Sequence, residues 1–156
     1  MAVDLRFVLA VLKINTNLER IADFCEGIAQ FVLKYPSISI DAELFDKARI
    51  RTMLSIVKEM LQSGKEALEE EKSSLAVSIF EKDSQVDELN HGATGIIADY
   101  LQQYPDRAAE CLNVVGIIRK MERIGEHCNN MAEEIVFYLD AKVLKHSGLP
   151  EDQTER

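Results

Sequence analysis

Apolar residues recur every three or four positions along most of the chain, in four long stretches separated by short polar breaks. This spacing is that of amphipathic α-helices, and no stretch shows the alternation of a β-strand. The four predicted helices cover, in order, residues 3–34, 41–71, 74–102 and 106–145. Asp41 and Asp106 are predicted N-caps, and a serine of the Lys72-Ser73-Ser74 boundary is predicted to cap the third helix.

Each predicted helix carries one apolar seam that is expected to face the other helices. In the first helix the seam is an uninterrupted heptad pattern of Phe7, Val11, Ile14, Leu18, Ile21, Cys25, Ile28 and Val32. The second seam consists of Ile50, Met53, Val57, Met60, Gly64 and Leu68. The third consists of Leu75, Ile79, Val86, Leu89, Ala93, Ile96 and Tyr100, and the fourth of Val114, Ile117, Met121, Ile124, Cys128, Met131, Ile135 and Tyr138. Short connections between such helices predict an all-α, antiparallel bundle of four long helices.

Composition and charge disfavour a membrane-spanning protein and a nucleic-acid-binding protein. The 156 residues are 47% hydrophobic and 29% charged, as in ordinary globular proteins, and no apolar run approaches the ~20 residues of a membrane span. A net charge of −9 disfavours nucleic acid and anionic lipid, and favours cations or a basic protein surface. With no secretory leader at its N-terminus, the chain is expected to be cytoplasmic. The odd cysteine count (Cys25, Cys111 and Cys128) predicts small buried residues rather than disulfides.

The first and fourth helices contain an internal repeat. Leu18-Glu19-Arg20-Ile21-Ala22-Asp23-Phe24-Cys25 matches Met121-Glu122-Arg123-Ile124-Gly125-Glu126-His127-Cys128, and the apolar seams coincide under the same offset. The repeat predicts that residues 41–145 form a complete three-helix unit and that residues 1–35 are the last helix of a preceding unit, with 146–156 a loose tail. A full duplication would have two more helices before Met1.

Three acidic pairs lie one helical turn apart: Glu19 with Asp23, Asp83 with Asp87, and Glu122 with Glu126. Like charges at this spacing repel, and a bound cation reverses the sign of that interaction. The third and fourth helices form an antiparallel pair around Pro105, and the last two pairs lie at similar distances from that turn. Four carboxylates are therefore predicted at one level of a helix–helix groove. All-oxygen ligands suit magnesium, manganese, calcium or iron, whereas the alternative is solvated helix faces.

These segments resemble the PhoU family. Asp4-Leu5-Arg6 with the 18–23 segment, and 122–127 with Asn129 and Met131-Ala132-Glu133, are similar to the signature of the third helix in each half of those proteins. Asp83-Ser84-Gln85-Val86-Asp87 is similar to the acidic motif of their fifth helix. The resemblance covers about residues 2–140. Two features depart from it: the family's first two helices have no counterpart, and Glu126 stands where Asp is usual.

The resemblance implies a metal-binding regulator of phosphate uptake and phosphate-starvation signalling, and not an enzyme. It implies one complete metal site at Asp83, Asp87, Glu122 and Glu126 and half of another at Glu19 and Asp23, holding iron, manganese, magnesium, calcium or zinc. The implied partners are a phosphate transporter and a sensor kinase at the inner membrane face, met by a cytoplasmic protein without membrane insertion. A homodimer is also expected. The first helix either completes a four-helix bundle with the other three or pairs with another copy.

Two alternatives remain from the sequence. One is a soluble PhoU-like domain of a sodium–phosphate cotransporter. The other is a di-metal oxidase, because Glu88 and His91 have the Glu-x-x-His spacing of di-iron bundles, although only one such motif is present. His127 is expected to be a surface residue, and His146 has no evident partner. Arg20 and Arg123, at equivalent repeat positions, are predicted to pair with nearby carboxylates.

Overall fold

The computed structural model describes residues 2–34 and 40–141. Five α-helices account for most of these residues, and no β-strand is found among them, which confirms the all-α prediction. The helices are α1 (Ala2–Lys34), α2 (Ala42–Lys47), α3 (Ile50–Glu69), α4 (Ser73–Gln103) and α5 (Ala108–Asp140), with a short 3₁₀ turn at Pro105–Arg107 before α5. None of the helices in the described ranges combines the length and apolar character needed to cross a bilayer.

Helix α5 is the centre of the molecule and packs against α1, α3 and α4. Its residues are buried on several sides rather than along one narrow stripe. The buried set includes Cys111, Val114, Ile117, Ile118, Met121, Ile124, Gly125, Cys128, Met131, Ala132, Ile135 and Val136. A helix with so broad an apolar surface is stable only when other helices surround it. Helix α5 therefore borders the grooves that the bundle forms with α1, α3 and α4.

Helices α3, α4 and α5 form a three-helix unit. Helices α3 and α4 run antiparallel: Glu59 of α3 forms a 2.7 Å ion pair with Lys82, whereas Gly64, further along α3, lies against Ile79, which is earlier in α4. A Cβ at Gly64 would lie 3.6 Å from Ile79 and 3.8 Å from Met131, which is ordinary van der Waals contact. The predicted seams of these helices are largely correct, except that Ile97 is buried more fully than Ile96.

Helix α1 lies antiparallel along the remaining side of α5. Lys13 forms a 2.8 Å ion pair with Glu134. At the N-terminal end of α1, the rings of Phe7 and Tyr138 are 5.2 Å apart, between centroids. The bundle of four long helices is therefore the predicted one, but α1 borders the three-helix unit through α5 and leaves much of its own surface exposed.

The predicted seam of α1 is wrong in part. Among the α1 residues whose side chains are described, Ala10, Ile14 and Ile21 are the buried ones, because they face α5. The side chain of Val32, the last member of the predicted seam, lies outside that description. Four members of the predicted seam are exposed: Phe7, Val11, Leu18 and Cys25. Cys25 also corrects the prediction of three buried cysteines, which holds for Cys111 and Cys128.

The internal repeat explains this difference between the two helices. Leu18 of α1 and Met121 of α5 are equivalent in the repeat, whose offset is 103 residues. Met121 is 2% exposed, whereas Leu18 is 43% exposed. Along the same stripe, exposed Val11, Ala22, Cys25 and Ala29 of α1 correspond to buried Val114, Gly125, Cys128 and Ala132 of α5. The stripe of α5 is covered by α3 and α4, whereas in the described residues the stripe of α1 is left open.

The second predicted helix is divided in two. Ala48 and Arg49 separate α2 from α3, and Arg49 has a left-handed backbone with φ of 53°. The predicted N-cap is correct, because the Asp41 carboxylate accepts a 2.8 Å hydrogen bond from the Glu43 N–H. A non-glycine residue in the left-handed region is uncommon, so tertiary contacts must hold this break in place.

The contacts that hold α2 converge on Asp41. Its carboxylate accepts hydrogen bonds from the Tyr100 hydroxyl at 3.0 Å and from Arg107 at 2.9 Å. Its backbone N–H donates to the buried Glu110 carboxylate, which also accepts from Arg107 at 3.1 Å. This network fastens the start of α2 to the ends of α4 and α5, which fixes the direction of α2 independently of α3.

Three predicted boundaries also differ from the structure. Helix α4 begins at Ser73 and has no side-chain cap, so the predicted capping serine is wrong. Asp106 lies inside the 3₁₀ turn and does not cap α5. Helix α5 ends at Asp140, before the predicted Lys145, because Ala141 adopts a left-handed conformation. The predicted tail at 146–156 and His146 lie outside the described residues.

Candidate metal site on helices α4 and α5

The structure brings two of the three predicted acidic pairs to one level of the bundle. Asp83 and Asp87 lie on α4, and Glu122 and Glu126 lie on the facing side of α5. Gly125, between the two glutamates, lies directly against Asp83, because a Cβ at Gly125 would be 3.1 Å from the Asp83 Oδ1 atom. This close approach fixes the register, so that the four carboxylates border the same groove.

Asp83 is the innermost of these carboxylates. Burial raises its pKa to about 6, and the negative charges of Asp87, Glu126 and Glu122 contribute in the same direction. The pKa rises because ionised Asp83 carries its negative charge where water is partly excluded and where three other acids are near. The groove thus carries unbalanced negative charge that a cation would neutralise.

Asn129, one turn beyond Glu126, holds Asp83 in its present orientation. The Asn129 Nδ2 atom donates a 2.7 Å hydrogen bond to the Asp83 Oδ2 atom. The other carboxylate oxygen, Oδ1, is buried and has no hydrogen-bond partner among the described residues, and the same is true of the Asn129 Oδ1 atom. Each of these two hydrogen-bonded side chains thus keeps one buried oxygen atom without a donor, and a cation or a proton would stabilise such an atom.

The other three carboxylates occupy the more open part of the groove. Glu122 is half-buried, and its pKa is raised by burial and by the charge of Glu126. Asp87 is exposed. Glu126 is bound by Arg123, with 2.6 Å between the Arg123 Nη1 and Glu126 Oε2 atoms.

These side chains border one groove but do not converge on one point. Within residues 2–34 and 40–141, no three acidic, histidine or cysteine side chains are arranged as a ready metal-binding group. The chemistry of the donors nevertheless fits a hard divalent cation, because carboxylate oxygens predominate and one buried carboxylate oxygen lacks a donor.

Glu19 and Asp23, the third acidic pair, lie on the exposed side of α1. Both contact side chains of their own helix: Asn15 donates to Glu19 at 3.1 Å, and Arg20 lies 3.6 Å from Asp23. The structure does not bring this pair to the groove between α4 and α5.

The histidines are placed differently from the prediction. His127 is half-buried between α5 and α1, where its Nδ1–H donates to the Asn17 side chain at 2.8 Å, so its prediction as a surface residue is wrong. Burial is the main cause that lowers its pKa. His91 is exposed, and its Nδ1–H donates to the Asp87 carbonyl at 2.7 Å. Because Glu88 is exposed as well, this motif does not have the inward orientation of a di-iron site.

Sequence reasoning missed the site roles of Gly125 and Asn129. A signal for Gly125 was present, since its repeat equivalent is Ala22, and a small residue between two acids leaves room for a side chain of a neighbouring helix. Asn129 has no signal in the repeat, because Glu26 stands at the equivalent position in α1, and its one signal is its place in the segment that resembles the PhoU signature. The predicted pairing of the two arginines with carboxylates is confirmed for both Arg20 and Arg123.

The fold and the site define a class: all-α helical bundles with acidic pairs at equivalent positions of a sequence repeat shared by α1 and α5. The PhoU domain model matches residues 1–32 and 50–135 of this chain. The chain therefore belongs to the PhoU family.

Individual relatives agree with this assignment. The chain is 30% identical over 142 residues to the phosphate-specific transport system accessory protein PhoU homolog of Zymomonas mobilis, covering 91% of this chain and 59% of that protein. It is 28% identical to PhoU homolog 1 of Thermotoga maritima over 91% of this chain and 60% of that protein. The crystal structure of PhoU from Pseudomonas aeruginosa superposes with a TM-score of 0.84 at 26% identity, covering 91% of this chain and 67% of that one. The chain thus spans about three-fifths of the length of these two sequence relatives.

Proposed function

We propose that this protein regulates phosphate uptake and phosphate-starvation signalling by binding other proteins, and that it is not an enzyme. The observation that carries the proposal is its membership of a family whose relatives are named accessory proteins of phosphate-specific transport. Its proposed place is the cytoplasm, where it meets components of a phosphate transporter and a sensor kinase at the inner membrane face, without inserting into the membrane. We propose a homodimer as the working form.

The proposal includes a divalent or trivalent metal ion in the groove between α4 and α5. Asp83, Asp87, Glu122 and Glu126 are the proposed ligands, and Glu19 with Asp23 are proposed as part of a second site. A bound ion would neutralise the groove and make its charge depend on metal supply. Supporting this, burial and the charges of the three other acids raise the pKa of Asp83, and one Asp83 oxygen has no donor among the described residues.

Metal binding is tested by removing one ligand from each helix. The variant Asp83→Ala with Glu122→Ala is expected to lose most Mn²⁺ binding measured by titration calorimetry, because each helix then supplies a single carboxylate. The matched control is Glu69→Ala with Glu70→Ala, which removes two exposed acids at the end of α3 and should bind like the wild type. Equal Mn²⁺ binding by the wild type and the groove variant would place the ion elsewhere.

The regulatory role is tested in a bacterial strain that lacks its own PhoU protein. Expression of this chain is expected to restore repression of a phosphate-starvation reporter in phosphate-rich medium, because the protein would again connect the transporter with the sensor kinase. The groove variant described above, expressed at the same level, reports whether the carboxylates are needed. Unrestored repression by a folded wild-type chain would contradict the regulatory proposal and leave the metal measurement unaffected.

A further inference from the structure

Arg123 is a cationic side chain that forms ion pairs with carboxylates of the acidic groove. Its guanidinium contacts both acids of the α5 pair, with Nη1 2.6 Å from the Glu126 Oε2 atom and Nε 3.9 Å from the Glu122 Oε2 atom. The Arg123 side chain is 57% exposed, so it lies at the mouth of the groove rather than inside it. An exposed arginine is free to leave this position for solvent.

The same arrangement recurs in α1. Arg20 occupies the repeat position of Arg123, and its Nη1 atom lies 3.6 Å from Asp23, the equivalent of Glu126. In both helices, an arginine between two acids contacts the acid three residues further on. The recurrence in two helices with different surroundings indicates that the arginine belongs to the acidic motif and is not an accident of one surface.

We propose that Arg123 is a built-in counter-ion of the groove, which a divalent cation must displace in order to bind. This inference rests on the proposed metal site and adds its regulation. In this proposal the metal ion takes the place of the guanidinium on the Glu126 Oε2 atom, so metal binding breaks the 2.6 Å contact. Arg123 then sets the metal concentration at which the groove fills, because it compensates the repulsion among the carboxylates while no metal is bound.

The electrostatics of the groove agree with this role. Burial and the charge of Glu126 raise the pKa of Glu122, and the charge of Arg123 acts in the opposite direction. The hydrogen bond with Glu126 in turn raises the pKa of Arg123, as do the charges of both glutamates. Arg123 and the glutamates thus stabilise each other's charged forms in the metal-free protein.

The test compares Arg123→Gln with Arg119→Gln. Arg119 is exposed on the same helix, one turn earlier, and lines a different depression with Asn90 and Thr94 of α4. Both changes remove one positive charge from α5, so their difference isolates the contact with the groove. A third variant, Arg123→Lys, keeps the charge. The readout is the Mn²⁺ dissociation constant from titration calorimetry, with circular dichroism to show that each variant is folded.

We expect Arg123→Gln to bind Mn²⁺ about three- to tenfold more tightly than the wild type, as loss of one partly exposed competing ion pair predicts. Arg119→Gln should change affinity by less than about twofold, because its charge is further from the groove and screened by salt. Arg123→Lys should remain close to the wild type. Binding by Arg123→Gln when the wild type shows none would support the proposal more strongly still.

Other outcomes overturn it. If Arg123→Gln and the wild type bind Mn²⁺ equally, or both glutamine variants gain equally, Arg123 is not a competitor, and the proposed metal site stands. If Arg123→Gln binds more weakly, Arg123 supports the ligands instead. If neither the wild type nor Arg123→Gln binds Mn²⁺, both the counter-ion role and the metal site fail.

Discussion

Replacing Met121 with alanine is expected to lower the free energy of unfolding by about 2–5 kcal/mol, as for other large buried residues. The same change at Leu18, its equivalent in the repeat, should lower it by less than about 1 kcal/mol, because surface truncations lose little burial. Met121 is 2% exposed within the core, whereas Leu18 is 43% exposed. Two positions with the same place in the sequence motif therefore have different energetic roles.

Urea unfolding followed by circular dichroism measures this difference, with the midpoints converted through a common slope. Val114→Ala and Val11→Ala provide a comparison with identical residues, since Val114 is fully buried and Val11 is exposed. Similar losses at Leu18 and Met121 would contradict the described packing, because they would require the stripe of α1 to be covered as fully as that of α5.

The packing of α1 shows what the sequence could not predict about burial. A heptad pattern predicts that a helix has an apolar face, but it does not say how many neighbours cover that face or from which side. Helix α1 meets α5 antiparallel, and Ile21 and Ile124, which are repeat equivalents, are both buried. The rest of the predicted seam follows the stripe that α3 and α4 cover on α5, and no helix of the described residues covers it to the same extent on α1.

The break between α2 and α3 was not predictable from local sequence. Ala48 and Arg49 are neither glycine nor proline, and Arg49 adopts a conformation that usually signals one of the residues glycine, asparagine or aspartate. The cause lies far away in the chain, where Tyr100 and Arg107 bind the Asp41 carboxylate. Local propensity favours a continuous helix, and these tertiary contacts override it.

The sequence was sufficient to predict that the two acidic pairs lie at one level of α4 and α5, but not which hydrogen bonds their side chains form. Counting from the turn at Pro105 brings the two acidic pairs to one level, and the contact between Asp83 and Gly125 agrees with that count. The hydrogen-bond partners of these side chains could not be predicted, because they depend on rotamers and on the angle between α4 and α5. The hydrogen bond from Asn129 to Asp83 follows from that angle, and no periodic pattern in the sequence indicates it.

Asp83→Asn is expected to stabilise the metal-free protein by about 1–2 kcal/mol at neutral pH. The shift of the Asp83 pKa from 3.8 to about 6 corresponds to roughly 3 kcal/mol for a fully shielded group, and partial exposure to solvent reduces this. Asparagine has the shape of the protonated acid without its charge. Its amide oxygen can also accept the hydrogen bond that the Asn129 Nδ2 atom donates to Asp83.

The stabilisation by Asp83→Asn should depend on pH with a definite sign. Because the folded pKa is raised above the unfolded one, the folded protein binds the proton more tightly, and wild-type stability falls as pH rises from about 4 to about 6. The advantage of the variant should thus be small below pH 4, grow through this window and level off above pH 7. Other acids, such as Asp41 and Glu59, have lowered pKa values, so the difference between variant and wild type is the quantity to measure.

A metal ion in the groove should reverse the order of stability. Saturating Mn²⁺ stabilises whichever folded protein binds it, by about 2.7 kcal/mol at a hundred times the dissociation constant. The wild type keeps the inner carboxylate and should gain more than Asp83→Asn, so its unfolding midpoint at pH 7 should rise to or above that of the variant. Equal gains by both proteins would show that Asp83 does not touch the ion. Burial and the repulsion of the neighbouring acids make the Asp83 charge costly without metal, and the same concentrated negative charge attracts the cation.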